Sequence, residues 1–93
     1  MKLTTKHIAL DVYGRVQGVG FRYTTLSYAQ KFDLVGSVAN RSDGSVHIEA
    51  QGTAENLSKF LHIIKSGPSH FAHVDHVQVQ ERPLENYSQF SIS

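Results

Sequence analysis

A chain of 93 residues has room for one domain with a modest core, and 40% apolar against 18% charged residues is a globular balance, not a disordered or fibrous one. Nine Lys and Arg against eight Asp and Glu leave a formal charge of +1, too weak a field to hold an extended polyanion, so no nucleic-acid partner is expected and any anion site must be local. The absence of cysteine excludes disulfides, thiolate zinc sites and a cysteine nucleophile, and is compatible with a reducing compartment.

The opening Met1-Lys2-Leu3-Thr4-Thr5-Lys6-His7 is followed by no apolar leader core, and no run of about 18 apolar residues occurs anywhere. Neither a signal peptide nor a membrane span is therefore expected, and the cytoplasm is the default location. Ile8, Leu10 and Val12 alternate with His7, Ala9, Asp11 and Tyr13, which predicts a first strand with one buried and one open face. The stretch Gly14-Arg15-Val16-Gln17-Gly18-Val19-Gly20 ends it: three glycines in seven residues predict a tight loop.

From Phe21 to about Phe32 there is no Gly or Pro, and Phe21, Thr25, Tyr28, Ala29 and Phe32 share one helical face, predicting the first helix. Leu34, Gly36 and Val38 alternate up to Asn40; Ser42-Asp43-Gly44 supplies a turn; Val46, Ile48 and Ala50 alternate again, so strands two and three form a hairpin. Thr53 is the expected N-cap of a second helix, striped by Leu57, Phe60, Leu61 and Ile64 and closed by Gly67-Pro68. Val77 and Val79 mark a fourth strand, Pro83 breaks it, and a short terminal strand ends in Phe90 and Ile92.

This order predicts one α+β domain over residues 1–93, a split βαβ (βαββαβ) arrangement whose antiparallel sheet carries two helices on one face and leaves the other open. A helix that starts directly after a glycine-rich loop offers unpaired amides and the positive end of its dipole, and Arg22 adds a planar, permanently charged fork at that point. A phosphoryl group suits such a cradle, curled by glycines 14, 18 and 20.

The run Gly14-Arg15-Val16-Gln17-Gly18-Val19-Gly20-Phe21-Arg22 closely resembles the first signature of the acylphosphatase family, Gly-x-Val-x-Gly-Val-x-Phe-Arg. Gly36-Ser37-Val38-Ala39-Asn40, followed by Gly44, Val46 and Gly52, resembles the second. Ser37 replaces the usual aromatic residue and Ala39 a frequent basic one, but in a regular strand both point away from the face that carries Val38 and Asn40.

The resemblance covers nearly the whole chain and implies a ferredoxin-like sandwich that hydrolyses small carboxyl phosphates as a monomer, without metal or cofactor. It implies that Arg22 and the amides around Gln17, Gly18, Val19 and Gly20 bind the phosphate. Asn40 would hold the attacking water, carried towards the cradle by a strand two lying beside strand one. A carboxamide fits that task because it offers an acceptor and donors without a charge that repels phosphate. The competing expectation is a non-catalytic module that binds a phosphorylated metabolite or a partner protein on the same fold.

Two other signals carry less. His70, His73 and His76 recur every third residue, but they run from a loop into a strand, which does not gather them as metal ligands. Tyr13, Tyr23 and Tyr28 could stack on bases, yet His47, Glu49 and Gln51 make strand three a poor RNA platform.

Overall fold

The computed structural model describes residues 4–93; Met1-Lys2-Leu3, part of the stretch read for a leader peptide, lies outside the described residues. The elements are β1 (Thr5–Arg15), α1 (Phe21–Lys31), β2 (Val35–Asn40), β3 (Val46–Thr53), α2 (Ala54–Ser66), β4 (His73–Arg82) and β5 (Phe90–Ile92). They form one sheet in the order β4-β1-β3-β2-β5, antiparallel except where β5 runs parallel to β2.

Periodicity accounts for the layers. Leu10 and Val12 of β1, Val38 of β2 and Val46, Ile48 and Ala50 of β3 are fully buried on the face that both helices cover. α1 packs over β2 and β5, and α2 over β3 and β4. From α1 come Phe21, Thr25 and Ala29; from α2 come Leu57, Phe60 and Ile64. Each large apolar side chain buried in this way contributes about 1.5–3 kcal/mol. Thr53 caps α2 by accepting the Asn56 N–H at 3.2 Å, and the helix stops at Gly67.

Three features depart from the sequence expectations. Strand two does not lie beside strand one: β3 separates them, because the tight turn at 41–45 forces β2 and β3 to pair, and β3 then pairs with β1. The sheet is mixed at one edge, since β5 enters beside β2 in the same direction.

The third concerns the open face, which is covered at one end. β4 and β5 occupy opposite edges, so residues 83–89 must cross the sheet to connect them. They cross on the face away from the helices and bury His7, which lies only 2% exposed. Its Nδ1 meets the Pro83 carbonyl at 2.8 Å, its Nε2 meets Glu49 Oε1 at 2.7 Å, and Tyr87 sits edge-on to its ring. Gln51 and the main chain of Glu85 exchange two further hydrogen bonds, at 2.8 and 2.9 Å. Partial burial of the ring within this crossing, helped by the charges of Glu49 and Glu85 and opposed by Arg82, pushes the Tyr87 phenol above its ordinary value.

Beyond the crossing the face carries an ionic row. His47 bonds Asp11 at 2.6 Å through Nδ1 and Glu49 through Nε2, while Arg41 approaches Asp11 at 3.7 Å. Ser37 and Ala39 lie half-buried on this face, opposite Glu49 and His47, as the strand alternation requires.

Candidate active site

The cradle is smaller than its glycines suggest. Gly14 belongs to β1, at a bulge against β4 where a Cβ would fall 2.2 Å from the His73 carbonyl oxygen. It allows two backbones to approach and does not curl the loop. The curl comes from Gly18 and Gly20, both left-handed at φ 74 and 75°, with open space where side chains would stand.

Gly20 is also the N-cap of α1. No side chain caps the helix there, and its first turn holds no acidic residue, so the leading amides and the positive end of the dipole stay available to an anion. Val16, buried beneath the loop, anchors it to the core.

Val16, Gly18, Gly20, Phe21, Arg22, Tyr23 and Asn40 line a cavity of about 90 Å³ at this point. The Arg22 and Asn40 of the sequence reading thus line one pocket, although β3 lies between β2 and the β1 strand that leads into the loop before α1. Asn40 arrives on the last position of β2, in phase with Val38 and therefore on the helix-covered face, where α1 packs against β2. The sheet need not bring the cradle beside Asn40, because the loop and the start of α1 reach over to it.

Arg22 is braced by Ser93, the residue that follows β5. One guanidinium N–H donates to the Ser93 carbonyl at 2.5 Å, and the Ser93 N–H donates to Val38 at 2.9 Å, two residues before Asn40. A guanidinium has five N–H donors, so the remaining ones can address a ligand.

Of the other residues assigned to phosphate binding, Gly18 and Gly20 line the cavity, whereas Gln17 and Val19 do not. Gln17 turns its carboxamide outward to the β2–β3 turn, donating to the carbonyls of Arg41 at 2.7 Å and Ser45 at 2.8 Å. Val19 is tied down by Ser69, whose hydroxyl donates to its carbonyl at 2.6 Å. Sequence reading missed Ser69, Ser93 and the lining residues Val16, Phe21 and Tyr23. The first two act through hydrogen bonds across distant segments and leave no local pattern; the other three lay inside or beside the recognised motif.

The discounted histidines remain apart from this site. His73 pairs with Asp75 at 3.1 Å on the surface, and His76 stacks on Tyr13 with ring centroids 5.9 Å apart. Among the described residues, no three His, Asp or Glu side chains are grouped to hold a metal ion.

The structure is a βαββαβ sandwich whose glycine-bearing first loop leads into an uncapped helix start, with Arg22 on that helix and Asn40 on the second strand lining the same cavity. The acylphosphatase family model matches residues 8–92, and the chain belongs to the acylphosphatase family. It is 46% identical over 88 residues to an acylphosphatase of Ligilactobacillus salivarius, covering 95% of this chain and 98% of the relative. It is 49% identical over 84 residues to an acylphosphatase of Listeria welshimeri, covering 89% and 90%. The crystal structure of acylphosphatase from Bacillus subtilis superposes with a TM-score of 0.91 at 44% identity, covering 95% of this chain and 98% of that one.

Proposed function

We propose that this chain hydrolyses the carboxyl–phosphate bond of small acyl phosphates, with Arg22 and the cradle amides holding the phosphoryl group and Asn40 holding the attacking water. The observation that supports the assignment of roles is the shared cavity: Arg22, the uncapped helix start at Gly20 and Asn40 all line one space of about 90 Å³.

The chemistry asks for little beyond position and charge. An acyl phosphate is a mixed anhydride with a carboxylate leaving group, and charge builds on the equatorial phosphoryl oxygens as it transfers. Arg22 and the α1 amides stabilise that charge, and the cradle leaves phosphorus open on the side of Asn40. Water oxygen bonds to phosphorus while the bond from phosphorus to the acyl oxygen breaks. The carboxylate leaves with the electron pair, and both water protons end on the released phosphate, giving a carboxylate and dihydrogen phosphate.

The reading includes a monomer that needs no metal or cofactor. Among the described residues no helix is long and apolar enough to cross a membrane. The test is hydrolysis of benzoyl phosphate in the presence of a chelator, alongside Arg22→Gln and Asn40→Ala. Turnover by the native chain and its loss in both variants is expected, by at least about 100-fold for the arginine. Full activity in Arg22→Gln would place the anion site elsewhere. A phosphate-dependent rise in melting temperature without turnover would make the domain a binding module instead.

A further inference from the structure

We infer that Gln17 is a positioning residue for the reaction: its carboxamide sets the distance between the phosphate cradle and Asn40. The inference rests on the roles proposed above for the cradle and Asn40, and it gives Gln17 a task different from contact with phosphate.

The sheet itself cannot set that distance. The cradle continues β1 and Asn40 ends β2, and these strands share no hydrogen bond because β3 lies between them. Any movement of the β2–β3 hairpin end would change the offset between the held phosphorus and the held water. Gln17 spans the gap. It follows the buried Val16 and precedes Gly18, both of which line the cavity, so its main chain belongs to the cradle floor.

Its side chain belongs to the opposite wall. The two N–H groups of one amide nitrogen go to two carbonyls, Arg41 at 2.7 Å and Ser45 at 2.8 Å. Arg41 directly follows Asn40, and its N–H donates to the Ser45 carbonyl at 2.8 Å, closing the turn. Both acceptors therefore lie at the mouth of the hairpin turn, and a planar donor fork that bridges them fixes orientation as well as separation. Among the described residues, no other side chain hydrogen-bonds the cradle to this turn. Glycine-bearing loops have no stiffness of their own, which makes an external strut necessary where geometry must hold to a fraction of an ångström.

A residue that acts on this offset should affect turnover and leave phosphate binding alone, because the cradle's own donors remain. Gln17→Met keeps the chain length and removes both donors; Gln17→Asn keeps the amide but shortens its reach. With benzoyl phosphate as substrate and inorganic phosphate as competitive ligand, each variant should lose about 10–100-fold in kcat. KM and the phosphate inhibition constant should stay within about 2-fold of the native chain. Assays are run well below each variant's melting temperature, so that loss of fold does not enter.

The second measurement is a double-mutant cycle. If Gln17 works through Asn40, Gln17→Met should cost nothing further in an Asn40→Ala background. Three results overturn the inference: kcat retained in both single variants, a loss confined to phosphate affinity, or full additivity in the cycle. An inactive native chain would instead refute the proposed function.

Discussion

Replacing His7 by leucine tests whether the 83–89 crossing is held by a polar post or merely rests on the sheet. The imidazole spends both nitrogens on oxygen acceptors, one on the Glu49 carboxylate at 2.7 Å and one on the Pro83 carbonyl at 2.8 Å. A hydrogen bond to a charged partner contributes about 1.5–3 kcal/mol and a neutral one about 0.5–1.5 kcal/mol. Leucine restores apolar contact beneath Tyr87, but the Pro83 and Glu49 oxygens lose the ring nitrogens that face them, and Glu49 keeps only His47. The net cost should be about 2–4 kcal/mol, or roughly 8–30 °C in Tm for a domain of this size.

Urea unfolding should report this cost with an unchanged m-value, since the surface exposed on unfolding hardly differs. Hydrogen exchange supplies a local readout: the Glu85 N–H, which donates to Gln51 Oε1 at 2.9 Å, should exchange faster in His7→Leu than in the native chain. Hydrolysis measured well below the melt should be retained, because His7 touches neither the cradle nor the 41–45 turn. A stability loss under about 0.5 kcal/mol, or unchanged exchange at Glu85, would refute the reasoning: the crossing would then be held by its apolar contacts alone.

Two further predictions follow from the turns and strand junctions. Gly14→Ala should destabilise the fold by about 2–5 kcal/mol, combining backbone strain at φ 132° with a Cβ placed 2.2 Å from one main-chain oxygen; a melting curve matching the native one would show that β1 and β4 can part without cost. Asp43 accepts from both the hydroxyl and the N–H of Ser45, and these bonds, aided by Arg41, hold its carboxyl below the ordinary value of 3.8. A depressed folded-state value adds stability above the ordinary value that fades as pH falls through the folded one. Asp43→Asn should therefore flatten the stability profile below about pH 4, and parallel native and variant profiles there would refute the assignment.

Strands and helices were legible because each is a local periodicity. Leu57, Phe60, Leu61 and Ile64 can face one way only on a helix, and Val38 and Asn40 must share a strand face whatever lies beside it. The loop and the two candidate residues were legible for a related reason: glycines 18 and 20, Arg22 and Asn40 are residue types whose backbone or side-chain chemistry few others supply.

What the periodicity does not carry is lateral order. Alternation says which face a side chain takes but not which strand is its neighbour, so β3 between β1 and β2, and β5 at the far edge, emerge only when all the strands compete for partners. That order creates the rest. It sends residues 83–89 across the sheet and buries His7, brings the Ser93 carbonyl to Arg22, and leaves a gap that the Gln17 carboxamide spans. Each is a contact between segments far apart in the chain, decided by three-dimensional packing, for which no short stretch of sequence holds a sign.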